Sequence, residues 1–337
     1  PEINGHIING KISALTPGTP LKNINTYLSV PGIRTQFQTA ASDVEGKVKF
    51  EMKNFYGDGD IIVQTNFEKD SAYKIEITPP FFAGYSPKNL ASPDVKLPAE
   101  QVLTRYIASQ VQNTYLYNQL NRSTLPAFDT STFYLKPDAA YLLDNFVRFT
   151  TLEEVFREYV PEVNVRQRGG KFLLPVIDAY NRMPFTVNPL ILLDGVPMFD
   201  INKFMKFDPL KVRKLEVLTK TYFLGANSFD GVVNLITYKG SLEGFEIDPR
   251  STIVDYEGLQ LRRDFYSPLY ENDQQFKSRL PDYRTLLYWS PTILTDSKGK
   301  AQAIFYSADL PGRYAIIVQG ITEDGSTGSG ISWFDVK

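Results

Sequence analysis

Few residues in this chain have the types and spacing that chemistry needs. The only histidine is His6, at the start of an alternating stretch. One imidazole with no cysteine cannot anchor an ordinary zinc site, and no acid–base partner stands near it in sequence. It reads as structural. A Ser-His-Asp triad would have to use His6, and no Gly-x-Ser-x-Gly elbow is present. Gly57-Asp58-Gly59-Asp60 hints at calcium but lacks the ligand repeat of an EF-hand loop, so it reads as a tight turn. Gly169-Gly170, after Arg166 and Arg168, is neither a P-loop nor a dinucleotide fingerprint and reads as a hairpin turn. The 38 acidic residues could supply a glycosidase pair, but no spacing singles one out. The most distinctive non-strand segment is Arg262-Arg263-Asp264-Phe265-Tyr266 with Tyr270, followed by Arg279 to Arg284, which includes Tyr283. Arg and Tyr are favoured at interfaces, so Arg262, Arg263, Phe265, Tyr266, Tyr270, Tyr283 and Arg284 are candidate contact residues. The competing reading is a loop held by Arg–Asp pairs. No catalytic residue, cofactor or metal ligand is assigned.

The elements around these residues are mostly strands. Runs at His6–Leu15, Asn25–Val30, Ile33–Thr39, Lys47–Met52, Ile61–Thr65 and Tyr73–Thr78 are short, partly alternating and separated by turn residues, the pattern of a sandwich. Pro79-Pro80 closes this region, and a linker covers Phe81–Lys96. From Ala99 to about Leu120, Val102-Leu103, Tyr106-Ile107, Val111 and Tyr115 share one helical face, with Pro98 at a tolerated start. The stretch Asp138–Phe146 is loose. Thr150–Tyr159 predicts a short helix capped by Thr150 or Thr151, with acidic residues in its first turn and Pro161 beyond its end. Residues 241–288 read as irregular.

Two segments are alike. Asp43-x-x-Gly46-Lys47 leads through a strand to Ile61-Ile62-Val63-Gln64. Asp296-x-x-Gly299-Lys300 leads through Phe305-Tyr306 to Ile316-Ile317-Val318-Gln319. Two related sandwiches are expected. About seven strands are usual, so the last fifty residues need strands from 245–290 or from before the central unit.

Between Pro189 and Gly240, Asp194-Gly195-Val196-Pro197, Asp208-Pro209, Val212, Glu216-Val217-Leu218, Gly225, Gly231-Val232-Val233, Ile236-Thr237 and Lys239-Gly240 occur in order. This string resembles the plug domain of TonB-dependent outer-membrane receptors, over about Phe149 to Gly240. The resemblance implies a strand ending in the Asp194 turn, a short helix, and a hairpin that closes the unit, with Asp194, Gly195, Pro197, Gly225 and Gly231 as its motif residues. In that family the turn helps present the plug to its barrel. Fewer than a hundred residues follow Gly240, too few for a barrel of at least about eight strands of about 9–11 residues each. A barrel partner would be another chain.

The C-terminal repeat, with Thr295-Asp296, Gly299-Lys300-Ala301, Phe305, Asp309, Pro311-Gly312, Tyr314, Ile316, Val318, Gly320 and Asp324-Gly325, resembles the macroglobulin-type domains of alpha-2-macroglobulin-like proteins. The expected fold is therefore mainly β with an α+β insert: an Ig-like or macroglobulin-like sandwich (1–83), a linker and helix (84–148), the plug-like domain (149–242), and a second sandwich (243–337).

Composition bounds the function. At 337 residues the chain can bury a real core and suits two or three domains. A net charge of −2 without basic stripes argues against nucleic acid. No apolar run has the roughly 18 residues of a spanning helix. With no cysteine, disulfides, thiol chemistry and a thioester are excluded within these residues, and the compartment is left open. Opening on Pro1, without Met or a secretory signal, the chain reads as processed or as part of a longer one. The leading expectation is a non-enzymatic structural or binding module of a Gram-negative envelope protein, periplasmic or surface-facing, docking to outer-membrane partners. A macroglobulin-like protease trap without a thioester is the alternative. Carbohydrate binding is the third, from 23 Phe and 20 Tyr, a content that a β-rich fold explains more simply.

Overall fold

The computed structural model describes residues 5–15, 19–32, 36–69, 72–81, 84, 98–124 and 132–337. The expected linker lies almost wholly outside these residues, as does the start of the stretch Ile33–Thr39. The chain forms two compact units: Pro1–Gly84 with Ala127–Gln260, and Tyr85–Pro126 with Leu261–Lys337.

In chain order, the strands are β1 (His6–Ala14), β2 (Asn25–Val30), β3 (Gln36–Ala41), β4 (Lys47–Met52), β5 (Asp58–Thr65) and β6 (Tyr73–Ile77). Helix α1 (Ala99–Leu120) and β7 (Ser123–Thr124) follow, then β8 (Ala139–Leu142) and α2 (Leu152–Tyr159). Next come β9 (Arg166–Arg168), β10 (Lys171–Leu173), β11 (Leu190–Leu193), β12 (Val196–Pro197) and α3 (Ile201–Phe204). The chain continues with β13 (Val212–Leu224), β14 (Asn227–Thr237), β15 (Thr252–Glu257), β16 (Arg262–Arg263), α4 (Asp273–Phe276), β17 (Gly312–Ile321) and β18 (Thr327–Val336).

The first unit begins with two sheets, β4-β1-β6 and β15-β5-β2-β3. They enclose a sandwich-like core of Ile8, Ile12, Leu28, Val48, Phe50, Ile61, Val63 and Ile75. Strict alternation in β4 sends Val48, Phe50 and Met52 inward. The seventh strand is β15, from the stretch read as irregular, and it pairs antiparallel with β5 from Thr252↔Val63 to Glu257↔Asp58. Its sequence, TIVDYE, has too little length and alternation to stand out alone. His6 closes this sandwich, its ring 3.1 Å from the Tyr256 hydroxyl.

Between β6 and β15 lies the insert, a five-stranded sheet in the order β12-β11-β14-β13-β8. β11 runs parallel to β14, and β13–β14 is an antiparallel hairpin. The expected elements are present, including the hairpin β9–β10 around Gly169-Gly170. Thr151 caps α2, its Oγ1 accepting from the Glu154 N–H at 3.3 Å. The loose stretch Asp138–Phe146 supplies β8, which pairs with β13 from Lys214↔Leu142 to Val217↔Ala139.

One face of this sheet packs against α2 and α3 through Leu152, Val155, Phe156, Phe204, Leu215 and Leu235. The other packs on the sandwich, where Leu190, Leu192, Leu218 and Val232 meet Tyr27 and Phe37. β5 is therefore buried on both faces: Ile61 and Val63 point into the sandwich, and Ile62 joins the insert core. That is why Ile61-Ile62-Val63 is a continuous apolar run rather than an alternating one. Gly231 sits opposite a bulge in β13, where a Cβ would lie 2.9 Å from the Leu218 carbonyl and 3.0 Å from Val176. Gly231→Ala is expected to cost about 2–4 kcal/mol by overpacking this crossing, read as a lowered urea midpoint.

The second unit is sparser. α1 is a helix as expected, but its shared apolar face is uncovered: Val102, Leu103, Tyr106 and Ile107 are all exposed, and only Ala108 is buried. Of the expected second sandwich, this unit contains the hairpin β17–β18, in register from Gly312↔Val336 to Ile321↔Thr327. No strand occurs between Asp264 and Pro311. The repeat turn is nevertheless the same in both copies. Asp43 N–H donates to Lys47 O (2.9 Å), and Asp296 N–H to Lys300 O (2.8 Å). Asp43 Oδ1 accepts from Lys47 N–H at 2.8 Å, and Asp296 Oδ1 from Lys300 N–H at 2.8 Å.

Candidate functional site

The Asp194 turn is held by its own side chain. Asp194 and Gly195 have φ of 49° and 84°, the pair of positive values a type I′ turn requires. Such a conformation is uncommon for a non-glycine residue, though Asp tolerates it better than most. The Asp194 carboxylate, fully buried, then reaches across the sheet. Oδ1 accepts from the Thr237 N–H at 2.7 Å, and Oδ2 from Thr237 Oγ1 at 2.7 Å and the Leu242 N–H at 2.8 Å. Thr237 Oγ1 in turn accepts from the Gly240 N–H at 3.0 Å. The two ends of the motif string, Asp194-Gly195 and Thr237 to Gly240, are thus one polar knot. Burial pushes the carboxyl of Asp194 above its ordinary value, against the opposing pull of the Thr237 and Leu242 hydrogen bonds.

The knot faces the chain's own sandwich. Asp194 O accepts from the Gly32 N–H at 3.2 Å. Pro197 O accepts from Gln64 Nε2 at 2.8 Å. Gly225, at the tip of the β13–β14 hairpin, follows Leu224, whose carbonyl accepts from Thr39 Oγ1 at 3.1 Å. Residues 190–198 are all buried. Asp194, Pro197 and the Gly225 turn thus fasten an insert to its host sandwich.

The Arg- and Tyr-rich segment divides. Arg263 closes the end of α1: its Nη2 donates to Leu120 O at 3.0 Å and Asn121 Oδ1 at 2.8 Å. A cation there also meets the negative end of the helix dipole. Arg262 is exposed on the short β16–β7 pair, and Phe265, Tyr266 and Tyr283 are half-buried. Arg284 is only 3% exposed. Its Nε donates to Asp282 Oδ1 at 2.8 Å, Nη2 to Asp282 Oδ2 at 2.7 Å and Nη1 to Leu287 O at 2.8 Å. Tyr270 Oη donates to the same carboxylate at 3.1 Å. Burial, then the neighbouring Asp282, push the Tyr270 hydroxyl up to about 12. Asp282 N–H donates to Asp309 Oδ2 at 2.8 Å, tying in the next loop.

Arg284 and Tyr270 are therefore the polar centre of a loop, whereas Arg262 is exposed. Removing Arg284 strands a buried carboxylate. Arg284→Ala is expected to cost the second unit about 3–5 kcal/mol, and Arg284→Lys to rescue little because one ammonium cannot replace a two-pronged contact. Both tryptophans, Trp289 and Trp333, lie in this unit. A lowered tryptophan-fluorescence melting transition is the readout.

Two polar groupings were not visible in sequence. Inside the insert, Tyr134 donates to the buried Glu216 and accepts from Asn234 Nδ2 at 2.9 Å, while Lys214 pairs with the other oxygen of Glu216. These residues are up to a hundred positions apart, so no spacing announces them. A shallow cavity of about 360 Å³ is lined by Asp138, Glu162, Asp178, Arg182 and Thr219. Its carboxylates are already engaged: Asp138 by Thr219 Oγ1 at 2.8 Å and Lys220 Nζ at 3.0 Å, Glu162 by Tyr141 Oη at 2.7 Å. Among the described residues no group of three or more His, Cys, Asp or Glu could hold a metal, and no helix is long and apolar enough to cross a membrane.

Besides the apolar face of α1, the hairpin β17–β18 leaves large apolar side chains exposed. Its base is anchored by an aromatic chain: Tyr288–Phe305 at 5.7 Å, Phe305–Phe334 at 6.1 Å and Tyr314–Phe334 at 5.6 Å. Beyond the base both faces are apolar and open. Ile316 and Val318 stand on one, Ile317, Ile331 and Trp333 on the other, and all are exposed. No family model matches the chain, and no curated protein or solved structure matches it either.

Proposed function

We propose that this chain is a non-enzymatic binding module of a Gram-negative cell-envelope protein, docking to outer-membrane partners, with a β-barrel supplied by another chain among the candidates. The envelope assignment rests on the ordered string from Asp194 to Gly240 and its likeness to receptor plugs. The observation that carries the docking assignment is the hairpin β17–β18, apolar and exposed on both faces. The plug-like insert serves as a rigid extension of the first sandwich, since its motif turn is spent on internal contacts. The second unit presents the contact surface.

Photo-crosslinkers placed at Ile317 and Trp333, and separately at Phe223 on the insert hairpin, test this in intact envelopes. The expected result is crosslinking from the first two positions to an envelope protein. Absence of any envelope crosslink from all three removes the docking reading.

A further inference from the structure

We propose that β17 is an acceptor edge for strand addition, and that its occupant is an antiparallel edge strand of a β-rich partner protein. This rests on the docking reading above and specifies its chemistry.

The chain contains its own control. Ile61-Ile62-Val63-Gln64 in β5 and Ile316-Ile317-Val318-Gln319 in β17 follow turns of the same geometry. In the first copy the tetrapeptide is closed. β5 is hydrogen-bonded on both flanks, by β2 and by β15, and both neighbours are antiparallel. Ile61, Ile62, Val63 and Gln64 are each at most 2% exposed. In the second copy β17 has β18 on one flank and, among the described residues, no strand on the other. Its faces, which the sandwich core and the insert core cover in β5, are open as well: Ile317 is 64% exposed and Val318 60%. One further antiparallel strand would give β17 the two-flank pairing that β5 has.

The flank itself invites this. A free edge offers a row of unpaired N–H and C=O groups, and proteins that keep such edges unpaired blunt them with charge, proline or bulges. From Tyr314 to Ile321 there is no charged residue and no proline, and the register with β18 runs without a shift over all ten pairs. An uncharged, regular edge selects an extended segment with apolar residues, main-chain bonds giving affinity and alternate side chains giving choice. β2, whose Asn25–Val30 sequence carries Tyr27, Leu28 and Val30, shows the type of strand that this tetrapeptide accepts.

The probe is a synthetic peptide spanning Asn25–Val30 with two flanking residues on each side, added to the whole chain, with a scrambled peptide as reference. Strand addition predicts that amide exchange over Ile316–Gln319 slows by about tenfold or more with the peptide only, and that Ile317→Lys removes the effect while leaving the far-UV circular dichroism of the chain unchanged. No protection at saturating peptide overturns the proposal. Protection over 312–321 that grows with chain concentration and needs no peptide also overturns it, because the occupant is then a second copy. The two readings separate in the envelope crosslinking experiment. Partner crosslinks that survive Ile317→Lys keep docking and discard strand addition, whereas no partner crosslink in either chain discards both.

Discussion

Alanine at Gly46 is expected to destabilise the first sandwich by roughly 3–5 kcal/mol, whereas alanine at Gly299 costs only about 1 kcal/mol. The two glycines occupy the same turn, with φ of 75° and 71°, so the backbone penalty is shared. Their surroundings differ. A Cβ at Gly46 would overlap the carbonyl oxygen of Ile12, with Pro20 at 3.1 Å, while at Gly299 no described heavy atom lies within 4 Å. Ile12 N–H also donates to Gly46 O at 2.7 Å, so the crowded carbonyl belongs to a strand that cannot retreat without losing this bond. Urea denaturation followed by circular dichroism, with tryptophan fluorescence reporting the second unit, separates the two losses. Equal effects at the two positions would mean that the copies are equally closed.

The second large effect is at Asp194. Asp194→Ala removes the acceptor for three donors, the Thr237 N–H, Thr237 Oγ1 and the Leu242 N–H, and places alanine at a φ of 49°. The expected loss is about 3–5 kcal/mol, with buried donors left unpaired and left-handed backbone strain both contributing. Asp194→Asn keeps one acceptor oxygen and tolerates the φ, so its loss is expected to be about half as large. The pH dependence has a definite sign. Because burial raises the folded-state value, the native state holds the proton more tightly than the unfolded chain. That contribution is complete below the unfolded-state value of about 4 and is lost as pH rises through the folded value. The stability gap between Asp194 and its alanine variant is therefore expected to narrow as pH rises across that window, measured by urea midpoints at a series of pH values.

Strands with one wet face were legible in the sequence. The buried positions of β4 alternate residue by residue, and Lys47–Met52 is read with its observed bounds. The turn residues Asp43, Gly46, Asp296 and Gly299 were legible because each turn is built from local hydrogen bonds. What the sequence could not show is which surfaces meet. β15 pairs with β5, a strand almost two hundred residues earlier, and its six residues carry no trace of that partner. Asp194-Gly195 was legible as the turn that ends a buried strand, but the same residues would serve whether that turn met another chain or, as here, Gly32 and Gln64 of the same chain. Arg284 read as a contact residue by type. Its burial depends on Asp282, Leu287 and Asp309 converging around it. The helix α1 shows the reverse case, since its apolar face was legible but nothing among the described residues covers it.

One strand sequence occurs twice, closed on both flanks in the first unit and, among the described residues, open on one flank in the second. Amide hydrogen exchange on the isolated chain tests it most directly. The prediction is that Ile61–Gln64 exchanges slowly and together with Leu190–Leu193 of the insert, as one cooperative body, while the outer flank of Ile316–Gln319 exchanges orders of magnitude faster. Comparable protection of the two tetrapeptides in the isolated, monomeric chain would contradict it.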